Sequence, residues 1–147
     1  MTRTEFFKNI FPYYSPPILV YEKFDPNKNK IFLTDTTLRD GQQGWRTLTV
    51  EESLEIYEIL HKLSGKKGVI QTIELFPYTS KDRTVISKII SKGYEYPKPI
   101  GWIRANSDDV ELLLQTGLKA TVMLCSISDY HIYYKLGMSR EKARLST

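Results

Sequence analysis

From Ile31 onward the chain repeats one pattern: a short apolar, β-branched run, then a longer segment whose apolar residues recur at helical spacing. Residues 31–34, 69–76, 99–105 and 120–127 read as strands. Between the first two, Val50, Leu54, Tyr57 and Leu60 share one face of a helix over 50–63, opened by the capping box Thr49-Val50-Glu51-Glu52 and stopped by Gly65. A second helix opens at Ser80-Lys81-Asp82-Arg83, carries Val85, Ile86, Ile89 and Ile90, and closes at Gly93. A third is capped by Ser107-Asp108-Asp109, carries Val110, Leu113 and Leu114, and ends at Gly117; another begins at Ser139-Arg140-Glu141-Lys142. Such alternation predicts an α/β fold, a parallel sheet covered by helices with right-handed crossovers. Two closures satisfy it, an open doubly wound sheet or part of a barrel, and the pattern alone does not choose. A complete barrel of eight units takes about 250 residues, whereas 147 residues hold four such units.

Residues 1–30 stand apart. The run Phe11-Pro12-Tyr13-Tyr14-Ser15-Pro16-Pro17 is rich in aromatics and proline, which prevents a regular helix through its centre. It reads as an irregular arm that packs its aromatics on the sheet domain or on a second subunit. No stretch approaches the ~18 consecutive apolar residues that span a bilayer, and the first residues lack the apolar core of a secretory signal. Cys125 is the single cysteine and follows the apolar run Thr121-Val122-Met123-Leu124, so a buried strand thiol and a reducing cytoplasm are expected. The net charge is +4. Its lysines are scattered rather than striped and no nucleic-acid-binding signature accompanies them, so the basic surface is read as solvated. It would favour anionic substrates.

The densest chemistry lies in Asp35-Thr36-Thr37-Leu38-Arg39-Asp40-Gly41-Gln42-Gln43, between the first strand and the first helix. In a barrel of parallel strands that end is where catalytic groups collect. A carboxylate there can grip a divalent cation, while a permanently charged guanidinium faces negative charge developing on a substrate oxygen. An isolated Arg-Asp-Gly is more often a turn with a surface ion pair. The full nine-residue string, however, resembles the first-strand motif of the TIM-barrel metallolyase superfamily. That superfamily includes isopropylmalate, homocitrate and citramalate synthases, 3-hydroxy-3-methylglutaryl-CoA lyase and pyruvate carboxyltransferase domains. Its synthase branch carries Asp-Thr-Thr-Leu-Arg-Asp-Gly, then Glu or Gln, then Gln.

The resemblance implies the first four βα units of a TIM barrel: a truncated half-barrel over residues 31–147, the N-terminal part of a catalytic domain. It also implies that Asp40 ligates a divalent metal (Mg, Mn or Zn), that Arg39 stabilises an enolate or oxyanion, and that Gln43 lies in the substrate pocket. Asp35 reads as a structural acceptor that fixes the loop. Glu74 is a lone carboxylate in an apolar strand. Its ordinary reading is a paired strand residue, and Ile73-Glu74 also resembles the family's second-strand Ile-Glu, whose carboxylate reaches the site. The family continues Ala-Gly-Phe-Pro where this chain has Leu75-Phe76-Pro77, one residue shorter and without the glycine.

Arg104-Ala105-Asn106 resembles the family's third-strand motif, which makes Arg104 a substrate-binding candidate; Asn106 is read first as a helix cap. Ser128-Asp129-Tyr130-His131 resembles the family's Ser-Asp-x-His, which implies substrate binding by Ser128 and polarisation of a thioester carbonyl by His131. His61 reads as an ordinary surface or capping histidine. The family completes its metal site with a His-x-His pair, and the two histidines of this chain form none. One aspartate does not hold a divalent ion against water, so these residues alone are expected to be inactive. The implied activity of the intact protein is an acyltransfer in which acetyl-CoA condenses with a 2-oxo acid, in a cytoplasmic homodimer without nucleic-acid or membrane partners. A carbon–carbon lyase or carboxyltransferase of the same superfamily is the runner-up. A non-catalytic half-barrel that binds a partner is the alternative of another class.

Overall fold

The computed structural model describes residues 31–146; the arm expected over residues 1–30 lies outside them. The described residues fall into two compact units, one up to Leu124 and one from Cys125 on. In the first unit β1 (Leu33–Asp35), β2 (Ile70–Leu75), β3 (Lys98–Arg104) and β4 (Thr121–Leu124) form one parallel sheet in the order β1-β2-β3-β4. Helices α1 (Val50–Ser64), α2 (Ser80–Lys92) and α3 (Ser107–Leu114) connect them. A doubly wound sheet reverses its strand order and takes helices on both faces. Here the order never reverses. Ile73 and Leu75 of β2 bury against Tyr57 and Leu60 of α1 and against Val85, Ile86 and Ile89 of α2 in one cluster, so both helices cover the same face. Of the two closures the pattern permits, the half-barrel of βα units is the one present.

Strand side chains alternate between faces, and this places the polar residues. Thr72 and Glu74 of β2 lie on the face away from the helices, in register with Lys98 and Ile100 of β3. Trp102 and Arg104 continue that face and pair with Val122 and Leu124 of β4. On the helical face, Gly101 is a required glycine: a Cβ there would come within 2.3 Å of Leu113 Cδ1, so the absent side chain is what lets α3 approach β3.

Local hydrogen bonding sets the helix ends. Thr49 Oγ1 accepts from the Glu52 amide at 3.1 Å while the Thr49 amide donates to Glu52 Oε2 at 2.8 Å, the capping box expected of α1. The α2 box sits one residue ahead of the expected Ser80: Thr79 caps, with Asp82 as its reciprocal partner. Gly93 ends α2 in the left-handed region at φ 63°. At α3 the cap is Asn106, as read from the sequence, whose side chain accepts from the Asp109 amide at 2.9 Å; Ser107-Asp108-Asp109 form the first turn instead of the cap.

Three further expectations are corrected. Leu114, assigned to the buried face of α3, is 75% exposed; Leu113 occupies the contact over Gly101, and the next residue is turned about 100° away. Cys125 is exposed, not a buried strand thiol. The β3–β4 pairing stops at Arg104 and Leu124, so the chain has left the sheet by residue 125. His61 is half-buried rather than superficial: its ring stacks on Tyr94 at 3.7 Å and its Nδ1 lies 2.6 Å from the Tyr96 carbonyl oxygen. Among the described residues no helix is long and apolar enough to cross a membrane. The second unit contains α4 (Asp129–Tyr134) and α5 (Arg140–Leu145), where buried Asp129 forms an ion pair with Arg140.

Candidate active site at the strand ends

Asp35 closes β1 by accepting from the Thr37 amide at 2.9 Å and the Thr37 hydroxyl at 3.1 Å, the structural part expected of it. The chain then makes a π-helical turn over Thr37–Gly41, with the Gly41 amide donating to the Thr36 carbonyl. Single π turns are uncommon and recur at functional sites. Leu38 drives its side chain into the core, where it is almost fully buried, and so anchors the turn that carries Arg39 and Asp40.

Arg39 Nε donates to Glu74 Oε2 at 2.5 Å, and Nη1 donates to Asp40 Oδ1 at 2.5 Å. Its guanidinium carbon lies 5.2 Å from the centre of the Trp102 ring, within cation–π range. Register explains the meeting. Glu74 is level with Ile100, so Trp102 stands one step further toward the C-terminal end on the same face, and Arg39 spans the two. Phe76 backs Trp102 edge-on at 5.4 Å. The first motif and the second-strand carboxylate are therefore brought together at the C-terminal ends of β1 and β2. Trp102 was not among the sequence candidates; its membership depends on strand register, which one sequence does not display.

The arrangement suits the handling of a developing anion. Two carboxylates hold a single guanidinium, and among the described residues Arg39 Nη2 donates to no protein acceptor. Nη2 is thus available to a substrate oxygen. The Asp40 side chain is 53% exposed, whereas that of Glu74 is almost closed off.

The remaining candidates are placed differently. Arg104 forks onto Asp109, with Nε to Oδ2 at 2.9 Å and Nη2 to Oδ1 at 2.7 Å, and the Tyr78 hydroxyl donates to the same Oδ2 at 2.6 Å. The Arg104 guanidinium holds the Asp109 carboxyl well below the usual carboxylate range, and Asp109 in turn raises Arg104. Burial pushes the Tyr78 hydroxyl up, with Asp109 adding to the rise. Gln43 is exposed. In the second unit, Ser128 caps α4 by accepting from the His131 amide at 3.3 Å, and its Oγ lies 2.6 Å from His131 Nδ1. Among the described residues no three His, Cys, Asp or Glu side chains gather at one point. Asp40 offers a single exposed carboxylate with one oxygen already bonded to Arg39, so these residues alone do not fit a divalent-ion site.

Residues 30–147 match the HMGL-like family. Citrate (Re)-synthase of Clostridium kluyveri is 41% identical over 140 residues, 93% of this chain and 31% of that protein. The chain is 35% identical over 138 residues to 2-phosphinomethylmalate synthase of Streptomyces hygroscopicus, covering 90% of this chain and 31% of the relative. It is 34% identical over 123 residues to 2-isopropylmalate synthase of Sulfurisphaera tokodaii, again 31% of the relative and 82% of this chain. The chain thus spans 31% of the length of each of these relatives.

Proposed function

The chain belongs to the HMGL-like family, and from that premise we propose that the intact protein condenses acetyl-CoA with a 2-oxo acid. The relatives' names support one reaction type. Citrate, 2-phosphinomethylmalate and 2-isopropylmalate are all malates substituted at the hydroxyl-bearing carbon. Breaking the bond from that carbon to its carboxymethyl arm leaves a 2-oxo acid and an acetyl unit in every case. The forward reaction removes a proton from the acetyl methyl of the thioester, and the enolate carbon attacks the oxo carbon. Water then cleaves the thioester, releasing CoA. Synthase names speak for this direction over cleavage or carboxyl transfer.

The Arg39–Glu74–Asp40 cluster is the observation that carries the assignment onto this chain. Arg39 Nη2 is the donor for an oxygen that gains negative charge as the carbon–carbon bond forms. Glu74 holds that guanidinium in place from the neighbouring strand, and Trp102 covers its ring-facing side. Asp40 would lend one carboxylate to a divalent ion completed by donors outside the described residues. Arg104, Ser128 and Gln43 remain proposed substrate contacts and His131 a proposed catalytic residue of the intact enzyme; in Arg104 the fork would have to serve substrate alongside Asp109.

Citrate (Re)-synthases at 41% identity make oxaloacetate the first candidate for the 2-oxo acid. The test is thiol release from acetyl-CoA by the intact protein across a panel of 2-oxo acids. We expect turnover with oxaloacetate to exceed that with branched oxo acids, and silence across the whole panel would refute the acyltransferase reading.

A further inference from the structure

We propose that Gln42 and Lys81 form a clasp that positions Arg39 and Asp40, a role that rests on the acyltransferase reading above. Gln42 Nε2 donates to the Leu38 carbonyl at 2.6 Å. Its Oε1 accepts from the Leu48 amide at 3.0 Å and from Lys81 Nζ at 2.9 Å, and the same ammonium donates to the Leu48 carbonyl at 3.0 Å. The amide therefore has one workable orientation. Flipping it would set an NH2 group against an ammonium and a backbone N–H.

The Leu38 carbonyl belongs to the peptide group that leads into Arg39. Fixing that plane restrains the backbone from which the Arg39 side chain departs, while Glu74 and Asp40 hold its far end. Leu38 and Leu48 are both buried, so the clasp ties the two core anchors on either side of the segment that holds Arg39 and Asp40. Neither the π-helical turn nor the short helical turn after it has a side-chain cap of its own. Gln42 supplies that restraint from within, and Lys81 brings it from the first turn of α2. Gln43, the same residue type one position on, is exposed and takes no part.

A donor aimed at a developing charge loses effect when displaced by about 1 Å, with losses reaching about a hundredfold. Gln42 and Lys81 touch the reacting groups only through Arg39, so their replacement should lower kcat and leave KM for acetyl-CoA in place. In the intact protein we expect Gln42→Met and Lys81→Met each to reduce kcat about tenfold, within the range such misplacement produces. Lys81→Arg, which retains a cationic donor, should recover most of that loss. In an Arg39→Ala background, Gln42→Met should cost less than it does alone, because only the placement of Asp40 is then left to disturb. Amide hydrogen exchange at residues 39–41 should quicken in both methionine variants, with α2 unchanged in Gln42→Met; Lys81 also pairs with Asp82 at 3.5 Å, so the α2 control belongs to Gln42→Met alone.

Full kcat in Gln42→Met and Lys81→Met would overturn the clasp. So would a loss of activity that merely follows the folded fraction measured by thermal melting. If the wild type releases no CoA with any 2-oxo acid, the acyltransferase reading fails on its own. Exchange at residues 39–41 then decides the clasp, and unchanged rates in both variants would sink it.

Discussion

Arg39 meets charge from two directions and an aromatic face from a third, so its replacement and that of its partners give separable outcomes. In the intact protein, Arg39→Ala is expected to cut CoA release by about a hundredfold or more, the usual loss when one donor to a developing oxyanion is removed. Asp40→Ala should abolish the same signal, and unchanged turnover in either variant would remove the site assignment. Glu74→Ala takes one of two carboxylates from a largely buried guanidinium that keeps Asp40, so it should lower unfolding stability by about 1–3 kcal/mol in urea titration. Asp109 makes a pH prediction. Its folded pKa is held below the unfolded value of about 4, so its contribution is present above pH 4 and disappears as pH falls through the folded value. Asp109→Asn should therefore be less stable at neutral pH, by a modest margin because Arg104 is largely exposed. The gap between the two proteins should narrow in acid melts. Among these residues Arg39, Asp40 and Glu74 were legible in the sequence through the resemblance of their motifs to a known family, since an isolated Arg-Asp-Gly reads as a turn. Trp102 and Gln42 were not: one depends on strand register, the other on which of two adjacent glutamines turns inward.

At the scale of elements, local chemistry was readable wherever the signal is local. The Thr49–Glu52 box and the glycines after α1 and α2 appear where hydrogen-bonding logic places them. The errors are of one kind. Thr79 caps α2 one residue ahead of the serine that spacing offered, and spacing alone ranks such neighbours poorly, whereas the Asn106 cap of α3 was readable. Leu114 and Cys125 were misjudged because burial depends on what packs opposite, which no local pattern contains. Gly101 belongs to the same class, since its need for a bare Cα arises from α3 lying over β3. Gly101→Ala should force Leu113 out of its contact and lower stability by about 1–3 kcal/mol, measurable by chemical denaturation. An unchanged midpoint would show that α3 can move aside without loss.

At the scale of the molecule, the sheet keeps one face under helices and leaves Val122 and Leu124 substantially exposed on the other, with β1 and β4 as open edges among the described residues. Unpaired edges and uncovered apolar faces favour association. A polypeptide limited to the described residues 31–146 should therefore self-associate. Sedimentation as a monodisperse monomer, without binding of an apolar dye, would contradict that. By itself the amino-acid sequence determined the alternation of strands and helices, most of their ends and the acid–base content of the first motif. Each of those follows from hydrogen bonds and side-chain periodicity within a few neighbouring residues. Tertiary structure alone decided that the sheet winds one way, that Arg39 is shared between Glu74 and Trp102, and that Gln42 rather than Gln43 faces inward. Those outcomes depend on register between strands far apart in the chain, and register is set only when all the strands and helices pack at once.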